Sequence, residues 1–208
     1  MTINIKETID EIRTAIDDIR GTVDDDFSTD TDAELKQALL HSVESLLMEL
    51  PPTLIEPHAI TNLTTTPAWS RHEGSNGDGY IVLPTDFLRF LDIKIKDWDA
   101  RVYELIESGS NEEKMQRSRW GQGTKEKPKA MLDTDNNGKR IVRYWPGDKN
   151  MELDLLTYVP VASESGNQIT CALRNETKKN IIYRAASIFL EGKKEDGLAD
   201  RFKQLSLM

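Results

Sequence analysis

Between Tyr80 and Trp98 the chain reads YIVLPTDFLRFLDIKIKDW, and here its apolar period changes from the three-to-four-residue step of helices to the two-residue step of strands. Ile81 and Leu83 alternate with polar or turn residues, Pro84 interrupts, and Leu91, Ile93 and Ile95 then alternate with Asp92, Lys94 and Lys96. A two-residue period lays one face of a strand on a core and turns the other to water, so the charged set is expected in solvent. What precedes and follows this stretch has to supply the cover for that core.

Helical periods stand on both sides. Ile5, Ile9, Ile12, Ile16, Ile19 and Val23 step by fours and threes, a narrow heptad-type seam, with Asn4 and Glu7 placed as a capping box and Gly21 marking the end. Three heptads are too few for a free-standing coiled coil, so the helix is expected to pack against other helices. Thr31 and Glu34 open a second helix that carries Leu35, Leu39, Val43, Leu46 and Leu50 on one face. Pro51 and Pro52 close it, because the residue before a proline is forced out of the helical region and proline has no amide to donate. Residues 51–79 read as a long polar loop with one short strand near His58 to Leu63.

Beyond Trp98, Ala100 to Ile106 reads as a further strand, and Ser110 with Glu113 opens a short helix ending at Gly121. Ala130 to Asp133 and Arg140 to Trp145 form a hairpin whose Asn137 and Gly138 suit a type I′ turn, and Met151, Leu153, Leu155, Thr157 and Val159 alternate through a last strand. The helical period returns at Leu173, Thr177, Ile181, Ala185, Ile188 and Phe189, with Cys171 at its start and Gly192 as its C-terminal cap. A final helix carries Leu198, Phe202 and Leu205 on one face. The expected fold class is α+β: a helical bundle from N- and C-terminal helices with a β-rich, mostly antiparallel insertion, divided as residues 1–52, 53–162 and 163–208.

The residue types for catalysis are not patterned for it. One cysteine makes no disulfide and no zinc site, and His41, His58 and His72 lack the spacing of a metal motif. Counted as a calcium loop from Asp24, the chain has Thr29 where glycine is needed and Leu35 where a bidentate glutamate is needed; the run from Asp133 to Gly138 ends its loop on Tyr144. GxSxG, HExxH and Walker sequences are lacking, so no catalytic residue, metal ligand or cofactor is assigned. The opening MTINIKETIDEIR, with acids from its seventh residue, reads as neither a secretory signal nor a membrane span.

Charge separates along the chain. The net charge is −9, and the first fifty residues account for it with four basic residues against thirteen acidic ones. Such a front end repels DNA and favours a basic partner. Between 114 and 129 the balance inverts, with Lys114, Arg117, Arg119, Lys125, Lys127 and Lys129 around Trp120 and the single acid Glu126. Arg117, Arg119, Trp120 and Lys125 are read as a partner interface, with Leu198, Phe202 and Leu205 as a second one. The alternatives are a nucleic-acid-binding module built on the basic segment, or a small soluble enzyme using scattered Asp and Glu.

The runs LPTDFLRFLDIKIKDW (83–98), MQRSRWGQGTKEKPKAML (115–132) and NIIYRAASIF (180–189) resemble the head-to-tail connector, adaptor or ring, proteins of tailed bacteriophages, particularly of short-tailed and crAss-like phages. That resemblance implies a structural virion protein, assembled in the host cytoplasm. Its bundles would stand side by side in a homo-oligomeric ring that follows portal symmetry. Portal protein would bind one side and further tail or ring proteins the other, and genomic DNA would pass through without sequence-specific binding. The C-terminal segment would reach toward the portal. No catalytic residue, cofactor or membrane contact comes with the family.

Overall fold

The structure, a computed structural model, describes residues 1–20, 29–57, 60–63, 68–70, 77–118, 121–148 and 151–207. The fold is α+β, with antiparallel sheets. Its helices are α1 (Ile5–Arg20), α2 (Thr29–Glu49), α3 (Asn111–Gln116), α4 (Lys178–Gly192) and α5 (Asp196–Leu205). Its strands are β1 (Thr2–Asn4), β2 (Thr61–Asn62), β3 (Ala68–Ser70), β4 (Asp78–Val82), β5 (Phe87–Ile95), β6 (Lys129–Thr134), β7 (Arg140–Trp145), β8 (Leu153–Pro160), β9 (Ser163–Ser165) and β10 (Gln168–Thr170). The chain divides into two compact units, one of residues 1–60 with 160–208 and one of residues 61–159.

In the first unit α4 packs on α1, α2 and α5. The isoleucine seam explains α1: Ile5, Ile9, Ile12 and Ile16 are buried, Ile19 is half-buried, and the Glu7 amide donates to Asn4 Oδ1 at 3.3 Å at the start. Gly21 and Val23 lie outside the described residues. On α2, Leu35, Leu39, Val43 and Leu46 are fully buried, and the helix stops short of Pro51 as the proline pair requires. It begins at Thr29, so Thr31 sits in its first turn instead of capping it. Ile181, Ile182, Ala185, Ala186, Phe189 and Leu190 bury most of the girth of α4, which suits a helix with three neighbours. Lys178 to Glu11 at 2.7 Å and Arg184 to Glu49 at 2.6 Å tie α4 to α1 and α2.

Three expectations for this unit are corrected. Residues 163–170, expected ahead of a helix without strands of their own, form β9 and β10, and β10 lies between β9 and β1 in a three-stranded antiparallel sheet with Ile3 opposite Ile169. Leu173 and Cys171 precede α4: Leu173 bridges to Ile55, and the Cys171 amide donates to Met1 O. Gly192 is the last residue of α4, and the left-handed position falls on Lys194, with φ of 63°.

The second unit holds two sheets, ordered β2-β8-β5 and β3-β4-β7-β6. Ile81, Phe87, Ile93, Ile95, Trp98, Val142, Tyr144, Leu156 and Tyr158 form its core. The Phe87 and Tyr158 rings stack at 5.4 Å, and Trp98 meets Tyr144 edge-on at 5.5 Å.

Here too the sequence misleads in places. Asp92, expected in solvent, is buried: its carboxylate accepts from Thr157 Oγ1 and pairs with Arg101 Nη1 at 3.3 Å, so hydrogen bonds replace the lost water. Along β8 the residues at 153, 155 and 157 are only half-buried, while Leu156 and Tyr158 belong to the core, so over this part of the strand the core face is the one opposite to the expected alternation. Ala100 to Ile106 is not a strand but an irregular run pinned by two isolated bridges, Val102 to Ile93 and Ile106 to Met131. The hairpin between β6 and β7 turns with positive φ at Gly138 and not at Asn137, so the turn is not type I′. The Asp135 carboxylate organises it instead, accepting from the Asn137 and Lys139 amides at 2.8 Å each.

Candidate functional site

The basic segment starts on α3, whose cap is built from its own side chains. Ser110 Oγ accepts from the Glu113 amide at 3.2 Å, and Glu113 Oε2 accepts from the Gly109 amide at 2.7 Å. That amide, and then the Arg117 guanidinium at 2.6 Å, hold the Glu113 carboxyl below its ordinary range. Arg117 closes the helix with its side chain largely in solvent.

Two buried glutamines then fix the loop. Gln116 donates to Glu112 O at 3.2 Å and accepts from the Gly123 amide at 2.8 Å, while Gln122 donates to Gly77 O at 2.9 Å. Gly123 is needed there, because a Cβ would fall 2.9 Å from Trp145 O. Thr124 and Lys127 exchange backbone hydrogen bonds at 3.2 Å in both directions, which makes a tight turn with Lys125 and Glu126 at its tip. Residues 124–127 are exposed, and the buried Pro128 anchors the exit. No sequence signal marked either glutamine, since both act on backbone groups rather than on a recognisable partner side chain.

Of the four residues expected at this interface, Arg117 and Lys125 are exposed on the one segment, and Arg119 and Trp120 lie outside the described residues. The cations are partly neutralised: Arg117 by Glu113, Lys129 by Glu112, and Lys125 by Asp97 at 4.0 Å. A row of paired cations presents less net field to a phosphate backbone than the formal charges suggest. A protein surface carrying its own carboxylates is the better match.

The second expected surface is used within the chain. Phe202 is fully buried with its ring centroid 6.0 Å from that of Tyr183, Ser187 Oγ donates to Ala199 O at 2.9 Å, and Asn180 donates to Ser206 O at 2.8 Å. Leu198 and Leu205 are half-buried beside it. The apolar face of α5 therefore docks on α4, which corrects the expectation of an intermolecular role for Phe202.

Among the described residues no group of three His, Cys, Asp or Glu side chains is placed to hold a metal, and no helix is long and apolar enough to cross a membrane. Asp133, in the run that resembles half a calcium loop, is taken by Arg143 Nε at 2.9 Å, and Arg143 also reaches the buried Asp78. No protein-family model matches the chain, and no curated protein matches it.

Proposed function

We propose that this protein is a structural component of a tailed-phage particle, a ring-forming connector between the portal and the tail that surrounds the DNA exit channel. The observation that carries the reading is the build of the chain: both ends form one helical bundle, and an antiparallel β unit is inserted between them, as the connector resemblance implies. In this role the protein performs no reaction and carries no cofactor or metal. Its contacts are with copies of itself, with the portal and with further tail or ring proteins. On α1 and α2, Glu7, Asp10, Asp32 and Glu34 are each met by a cation, but thirteen acids against four bases in the first fifty residues leave a net negative charge that suits a wall past which a duplex slides without adhering. The paired cations of the 112–129 segment favour this over a nucleic-acid-binding module.

The reading is tested on particles. Purified virions, stripped of DNA and separated into head and portal–tail fractions, should carry the protein in the portal–tail fraction in constant ratio to portal subunits. Its absence from the particles would sink the proposal.

A further inference from the structure

A groove of about 570 Å³ runs between α1 and α4 in the helical unit. Its floor includes Ala15, Ile182 and Tyr183, and four carboxylates, Asp18 among them, outnumber its two cations, Lys178 and Lys179. Glu11 is engaged by Lys178, but Asp18 is exposed and has no ion-pair partner among the described residues. In the β unit, the turn at 124–127 is held by reciprocal backbone bonds, and there Lys127 is exposed and likewise has no ion-pair partner among the described residues.

We infer that the α1–α4 groove of one copy of this chain receives the lysine-bearing 124–127 turn of a neighbouring copy. A lysine is suited to such a slot, because its methylene stem lies along an apolar floor while its ammonium reaches carboxylates at the rim. Charge complementarity selects this occupant: residues 114–129 hold six basic residues against one acidic one, and the groove keeps a net negative lining, four carboxylates against Lys178 and Lys179. The turn is already fixed by Gln116, Gly123 and Pro128, so little ordering is lost on docking. Groove and turn are different surfaces, so the contact is head-to-tail, the kind that closes into a ring when its rotation permits. The inference rests on the connector reading for ring closure, but the contact itself is tested without portal, so the two can fail separately.

The experiment is sedimentation equilibrium of the full chain at low and high salt, with Asp18→Lys, Lys127→Glu and the double variant, each checked for an unchanged melting curve. Self-association should weaken as salt rises. Each single reversal should weaken it about tenfold or more, and the double variant should recover it because the pair is merely exchanged. Should a reversal fail to fold, Asp18→Asn and Lys127→Gln are compared in its place, each with a smaller loss expected. Absence of salt-sensitive self-association, single variants that associate like the parent, or a double variant no better than the singles would each overturn the contact. Loss of the contact with portal docking intact would leave the connector reading standing.

Discussion

The hydroxyl end of the Tyr144 ring covers Gly79, its cross-strand partner between β4 and β7, so closely that a Cβ at Gly79 would fall 2.0 Å from Tyr144 Cζ. A glycine within a strand often marks such a close approach. Gly79→Ala must push either a strand or a buried tyrosine, and overpacking of this kind costs about 1–3 kcal/mol. For a chain of this length that is a fall in Tm of roughly 2–12 °C. An unchanged melting curve would show that the ring is not held there.

The last helix makes a second prediction. Because Phe202 is fully buried on α4, Phe202→Ala should cost about 3–5 kcal/mol, and deletion after Gly192 should cost more. Chemical denaturation would measure both. A truncated protein with the stability of the parent would return α5 to the role of a free arm.

The exposed cations predict the opposite pattern. Arg117→Glu and Lys125→Glu alter side chains that are mostly in solvent, so stability should change by no more than about 0.5 kcal/mol while docking to a partner weakens. A binding titration against portal and against duplex DNA separates the uses. Affinity for DNA that falls with salt and disappears in these variants would favour the nucleic-acid module instead.

Cys171 supplies a pH prediction. Burial pushes its thiol above its ordinary value, so the folded chain keeps its proton where the unfolded chain loses it. This contribution to stability is whole below the ordinary thiol value and falls as pH climbs past it. Native protein should react with a maleimide at mildly alkaline pH far more slowly than protein in denaturant. Equal rates would mean that the thiol is open to water.

What the sequence disclosed was what has a period or a stop signal. The isoleucines of α1, the leucines of α2 up to Pro51, and the hairpin arms read as Ala130 to Asp133 and Arg140 to Trp145 each carry enough pattern to be read alone, the first arm being one residue longer at each end. The sheet of β1, β10 and β9 was hidden because each strand has three residues, too few to show alternation, and because Thr2 pairs with Thr170 across almost the whole chain. Val102 and Ile106 are buried four residues apart in an irregular run, a spacing that alternation also produces, and the error about Ala100–Ile106 follows from that. Asp92 looked like a solvent residue because its partners, Arg101 and Thr157, are supplied by tertiary structure. The charge of the 114–129 segment was legible, but its neutralisation by Glu112 and Asp97 was not, since those pairs depend on how α3 and the turn after β5 meet the segment in space; only the Arg117–Glu113 pair is local.

The proposed connector role requires this chain to form a ring on the portal. The most direct measurement is cryo-electron microscopy of the purified protein mixed with portal assemblies, with the portal alone as reference. A ring-forming connector should add density as a closed ring coaxial with the portal channel, one subunit in register with each portal subunit. Portal particles indistinguishable from the reference, or the protein bound as isolated copies off the channel axis, would contradict it.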